Sequence, residues 1–103
     1  MIIATPPPAR VQVVAREFSL ALSRPRIASG KAVIELANFG EDAHDLRLER
    51  VGGKVVYMWP VAQSGEVEDK TLTLAPGTYR LWCSLANHRA LGMVTTLVVV
   101  ARR

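Results

Sequence analysis

The amino-acid sequence predicts an all-β domain, and three observations carry that prediction. Apolar residues alternate with polar ones over short stretches, which is the period of a half-buried strand. β-Branched and aromatic types recur in those stretches, and no segment shows convincing helical periodicity. Turn-forming pairs punctuate them at regular spacing. Seven or eight short strands set out this way indicate an antiparallel sandwich or barrel.

The elements follow in order. Residues 1–9 include Pro6-Pro7-Pro8 and read as a flexible, extended segment leading into a single domain over residues 10–103. Val11, Val13 and Ala15 alternate with polar neighbours, and Phe18, Leu20 and Leu22 do the same. Ser29-Gly30-Lys31 is a turn signal that opens the strand Ala32-Val33-Ile34-Glu35-Leu36. Leu46, Leu48 and Val51 alternate with Arg47, Glu49 and Arg50, and Gly52-Gly53 then turns the chain into Val55-Val56-Tyr57-Met58. Residues 61–70 are polar and read as loop or one helical turn. Leu72 and Leu74 lead into the turn pair Pro76-Gly77, which opens Tyr79-Arg80-Leu81-Trp82-Cys83. The last strand, Val94–Val100, is almost entirely β-branched or apolar. Phe18, Leu36, Tyr79 and Trp82 read as core.

Composition narrows the function classes. The chain has 103 residues, half of them hydrophobic, which fits one domain and excludes disorder. No run approaches the roughly 20 apolar residues of a spanning helix. No basic stretch followed by an apolar run reads as a secretory leader, and a mature chain with its leader removed would read the same. Net charge is +4, but the basic residues are scattered singly apart from Arg102-Arg103, and aromatics are few. That pattern argues against nucleic acid as the main partner. No acid follows Lys70, whereas Glu41, Asp42 and Asp45 cluster earlier, so a positive field is expected near the C-terminal third. Such a field would attract an acidic partner surface.

One cysteine has no partner within the chain, which makes its role the central question. Cys83, His88 and Met93 form C-x4-H-x4-M within one loop between two strands. Thiolate and thioether are soft ligands that favour copper, and imidazole suits both of its common oxidation states. One further strong ligand is needed, and His44 is the only other histidine. Taken singly, a cysteine is more often an inert buried thiol and a histidine an ordinary surface group, so the weight rests on the combination. Structural zinc prefers several cysteines to a thioether.

With these residues the chain resembles the cupredoxins, the small blue copper proteins, over residues 18–100. The resemblance is carried by Asn38-Phe39-Gly40 with His44 downstream, by Pro76-Gly77-Thr78-Tyr79 before Cys83, and by Gly92-Met93 before the last strand. It implies a Greek-key β-sandwich holding one type 1 copper, with His44, Cys83 and His88 as strong ligands and Met93 as the weak axial one. It also implies that Ser84 and the residue after the first histidine bridge the two ligand segments. Here that residue is Asp45, where the family commonly has asparagine, and an ionised carboxylate there would favour Cu(II) and lower the reduction potential. Thr95 stands where a glycine is frequent, which bears on strand entry more than on ligation.

The implied activity is electron transfer at the exposed edge of His88. Phe39, Leu85, Ala86, Ala90 and Leu91 would form an apolar docking patch, with Arg89 at its rim, for transient contact with redox proteins. Two histidines cannot serve the second copper that oxidases and nitrite reductases need, so an enzyme is not expected. The resemblance also implies a monomer located outside the cytoplasm, in a periplasmic or equivalent compartment. Two other readings use the same residues: a copper chaperone or buffer, whose site would be more open, and a metal-free sandwich serving as an interaction module.

Overall fold

The structure, a computed structural model, describes residues 6–102. The first five residues of the proline-rich segment and Arg103 therefore lie outside the described residues. Nine strands and one helical turn are present among the described residues. In chain order they are β1 (Ala9–Arg16), β2 (Ser19–Leu22), β3 (Arg26–Ala28), β4 (Gly30–Asn38), β5 (His44–Arg50), β6 (Val56–Ala62), β7 (Val67–Leu74), β8 (Gly77–Trp82), α1 (His88–Leu91) and β9 (Val94–Val100).

These strands form two sheets, ordered β2-β1-β4-β7 and β3-β9-β8-β5-β6. The sandwich is as predicted, with two differences. It has nine strands rather than seven or eight, and it is mixed, because β1 runs parallel to β4 and β3 parallel to β9. Residues 61–70 are not a loop or helical turn: they end β6 and begin β7, with only 63–66 between. β7 lies at the edge of its sheet beside β4 and buries only Leu72 and Leu74, so most of its other side chains meet water.

One core fills the space between the sheets. Val11, Val13 and Ala15 of β1 and Ile34 and Leu36 of β4 meet Leu46 and Leu48 of β5, Leu81 of β8 and Leu97 of β9. These are the alternate positions of each strand, so the period-two pattern of the sequence is the inward face. The Trp59 indole N–H, from β6, donates to the Ile34 carbonyl at 3.0 Å and pins one sheet to the other. Tyr79 and Leu36 are core as predicted. Phe18 and Trp82 are not: Phe18 is 37% exposed in the β1–β2 turn, and Trp82 is half-buried on the outer face of β8.

The register brings two distant parts of the chain together at one end of the sandwich. β5 and β8 are antiparallel with Arg47 opposite Trp82, so the start of β5 lies beside the end of β8. β8 and β9 pair through Trp82 and Val94, and one residue further the Cys83 N–H donates to the Met93 carbonyl at 3.1 Å. Trp82 and Val94 face outward, and by strand alternation Cys83 and Met93 face inward, where both are fully buried.

Candidate metal centre

His44 is delivered by a loop that Asn38 holds. Asn38 ends β4 fully buried, and its amide donates to the Asp42 carbonyl at 2.7 Å and the Ala62 carbonyl at 2.9 Å. Its Oδ1 accepts the Gly40 N–H at 2.8 Å. Every polar atom of this buried side chain is thus used to fold residues 39–43 back onto the sandwich. The β5–β6 pairing then shifts register between His44 and Leu46. His44, Asp45 and Leu46 are consequently all buried, which regular alternation would forbid.

His88 comes from the β8–β9 connection, where no helical period is visible in the sequence. Four residues form α1; Asn87 precedes it without a side-chain capping bond. Backbone bonds hold the turn instead: His88 N–H to Leu85 O at 3.0 Å, Leu91 N–H to Asn87 O at 3.1 Å and Met93 N–H to His88 O at 3.1 Å. Gly92 leaves the helix at φ +129°, a conformation side chains rarely adopt. A Cβ there would also lie 2.8 Å from the Phe18 carbonyl oxygen, so the turn packs on the β1–β2 turn without room for one.

The three side chains converge. Cys83 Sγ lies 3.6 Å from His88 Nδ1 and 4.0 Å from His44 Nδ1, and the ligand atoms of all three lie within 4.8 Å of one another. The imidazole rings are 5.1 Å apart between centroids and inclined at 58°. His44, Cys83 and Met93 are fully buried, whereas His88 is half-buried. Burial pushes the Cys83 thiol up from its ordinary value, and the N–H groups of Leu85 and Asp45 oppose that shift. A thiol so placed is neutral and unreactive unless a cation holds it as thiolate. Two imidazoles and one thiol, without a carboxylate among them, suit a soft or borderline cation and not one that prefers oxygen.

Asp45 and Ser84 bridge the two ligand segments. The Ser84 N–H donates to Asp45 Oδ1 at 2.7 Å and the Ser84 hydroxyl to Oδ2 at 2.5 Å. Arg47 Nε lies 3.5 Å from Oδ2 on the other side.

The residues named for docking are distributed around this end. Phe39 is 55% exposed and Leu91 51% exposed, and Ala86 and Ala90 are exposed on the α1 loop. Leu85 is half-buried and packs against the core. Arg89 is exposed but lies across the Trp82 ring at 4.7 Å, and Arg16 lies over Phe39 at 5.6 Å. Arg80 and Arg89 line an open depression beside the loop with Asn87, Val94 and Thr96.

Two residues at this end escaped sequence reasoning. Phe18 packs its ring against His88 at 5.0 Å, tilted by 53°. Glu17 places Oε1 3.0 Å from His44 Nε2. A lone acid in a two-residue turn carries no pattern that would single it out.

No family model matches this chain, and no curated protein matches it by sequence. Solved structures do match. Auracyanin A, a blue copper protein from Chloroflexus aurantiacus, is 17% identical over 90% of this chain and 99% of its own, with a TM-score of 0.70. The reduced form of an amicyanin variant is 17% identical over 88% of this chain and 82% of its own, at a TM-score of 0.65. The copper-containing nitrite reductase of Thermus scotoductus is 16% identical over 94% of this chain but only 28% of its own, at 0.70. These likenesses establish the architecture: the chain has the cupredoxin fold, and its His-Cys-His cluster and Met93 lie at one end of that sandwich.

Proposed function

We propose that the chain is a mononuclear type 1 copper protein that carries single electrons between redox partners. The observation that carries this reading is the convergence of two imidazole Nδ1 atoms on one buried sulfur, at 3.6 Å for His88 and 4.0 Å for His44. His44, Cys83 and His88 would hold the ion through those atoms, and Met93 would be its weaker fourth ligand. Copper bound there supplies a one-electron couple between Cu(II) and Cu(I).

The chain's own residues do the rest. Three of the four donors are fully buried, with His44 in the β5–β6 ladder and Cys83 and Met93 joined by a backbone hydrogen bond, which favours a rigid site. That rigidity suits electron transfer better than metal handling, which needs accessible ligands that can be exchanged. Asp45 and Ser84 tie the segments that carry His44 and Cys83. His88 is the ligand nearest solvent, and a partner docks around its edge on Phe18, Phe39, Leu85, Ala86, Ala90 and Leu91. A small, transient interface of this kind has a weakly apolar centre and a charged rim. Arg89 and its neighbour Arg80 would make that rim complementary to an acidic partner. The protein works as a monomer outside the cytoplasm, in a periplasmic or equivalent compartment, and turns over no substrate.

Addition of Cu(II) to the metal-free protein should produce an intense blue colour, and Cys83→Ser should abolish it. A colourless wild type that does not bind copper would sink the assignment.

A further inference from the structure

The contact of Glu17 with the centre is more specific than a surface ion pair. Its Oε1 lies 3.0 Å from His44 Nε2 and also accepts the Asp42 N–H at 2.6 Å. Its Oε2 accepts the Glu41 N–H at 3.1 Å. Gly40 makes room for the carboxylate, because a Cβ there would lie 2.5 Å from Oε1. The His44 side chain is fully buried, and the carboxylate covers the ring nitrogen that faces away from Cys83.

We propose that Glu17 is a positioning residue: its carboxylate accepts the Nε2–H of His44 and thereby commits Nδ1 of that ring, bare of its proton, to the metal centre. A carboxylate that already receives two backbone N–H groups is an acceptor only, so the ring nitrogen it meets must carry the proton. A neutral imidazole has one N–H, which leaves Nδ1 with a free lone pair 4.0 Å from Cys83 Sγ. Fixing the tautomer in this way also raises the basicity of the ligating nitrogen. Glu17 adds a negative charge beside the ring, which favours the more highly charged state of a bound ion. The geometry also couples the centre to the β1–β2 turn: Glu17 orders the Glu41-Asp42 backbone and His44 with the same two oxygens.

The inference rests on the copper reading only for its metal arm, and the test separates the two. Imidazole 15N–1H correlation spectra of the metal-free protein should show His44 as a single Nε2–H tautomer. Glu17→Ala should mix the tautomers and weaken Cu(II) binding by about 10–100-fold. Glu17→Gln retains an oxygen acceptor, so it should restore much of the tautomer preference while raising the potential of the copper-loaded protein above wild type. Phe18→Leu, which alters the neighbour of His88 instead, should leave the His44 tautomer unchanged. The proposal is overturned if His44 stays Nε2–H in Glu17→Ala with Cu(II) affinity within about twofold of wild type. Should Glu17→Ala not fold, Glu17→Gln decides, and wild-type affinity together with wild-type potential overturns it. A protein that shows the tautomer effect but no copper colour would refute the copper reading alone.

Discussion

Ser84 is bound twice by Asp45, through its backbone N–H at 2.7 Å and its hydroxyl at 2.5 Å. The pair joins the residue after His44 to the residue after Cys83, so it sets the spacing of two of the three converging donors. Asp45 is only 3% exposed. Asp45→Ala removes both acceptors and should cost about 1–3 kcal/mol, the range for leaving partly buried donors without partners. Thermal unfolding of the metal-free protein measures it. Asp45→Asn can still accept the Ser84 N–H, so its loss should be smaller. With an anion beside the thiolate gone, potentiometry on the copper-loaded form should find a higher reduction potential than wild type.

Copper affinity should fall as the solution becomes more acid, and the sign follows from Cys83. Burial holds its thiol above the ordinary value of 9.0, so the metal-free protein is protonated there at neutral pH. Binding as thiolate then releases that proton. Each unit of pH lost between 8 and 6 should weaken apparent affinity by about tenfold from the thiol alone. Competition against a chelator corrected for its own protonation measures the slope. An affinity flat across that range would mean that Cys83 does not bind as thiolate.

Most of this architecture was legible in the sequence because strand alternation survives in a sandwich whose outer faces are solvated. Cys83, His88 and Met93 were legible together because one loop carries all three, and His44 because no other histidine remained. What escaped reading depends on pairing across long separations. β3 has three residues, too few for any period, and exists because it lies parallel to the C-terminal strand β9. The first half of β7, residues 67–70, looks like a loop until β4 is beside it. Trp82 read as core from its apolar type, yet alternation from the buried Leu81 and Cys83 turns it outward beneath Arg89. Glu17 acts across 27 positions of sequence on His44. Nothing local to an isolated acid encodes that.

Asn38 should be among the most sensitive positions outside the donors. Asn38→Ala would strand the Gly40 N–H and the carbonyls of Asp42 and Ala62, which now share its side chain. A loss of about 2–4 kcal/mol is expected for a fully buried group with three such bonds. Hydrogen exchange should locate the damage in residues 39–43, and Cu(II) retention should fall because that loop delivers His44. Faster exchange spread evenly over both sheets would point to a general core role instead.

Glu17 also predicts an acid limb of stability. Its carboxyl is held at about 2 instead of 4.5, chiefly by the Asp42 N–H, with the Glu41 N–H and the His44 ring adding to it. A group with a lowered folded value contributes stability that is present above about 4.5 and is lost as pH falls toward 2. The metal-free wild type should therefore lose stability more steeply through that window than Glu17→Gln, which has no carboxyl to protonate at position 17. Thermal unfolding of both proteins from pH 5 to pH 2.5 compares the slopes, and parallel curves would contradict the assigned contact.

Gly92 offers the sharpest separation of backbone strain from collision. Gly52 and Gly92 both have positive φ, +84° and +129°, but a Cβ at Gly52 would meet nothing within 4 Å. Gly52→Ala therefore carries conformational strain alone, on the order of 1 kcal/mol. Gly92→Ala carries the strain and places its methyl 2.8 Å from the Phe18 carbonyl oxygen, a backbone atom that cannot swing aside. It should cost about 1–3 kcal/mol more than the Gly52 change. Because Gly92 lies between α1 and Met93, relief of the collision must move His88, Met93 or the β1–β2 turn. The visible spectrum of the copper-loaded Gly92→Ala protein should differ from wild type, while that of Gly52→Ala should not. Equal stability losses and unchanged spectra in both would show that the turn against Phe18 yields freely.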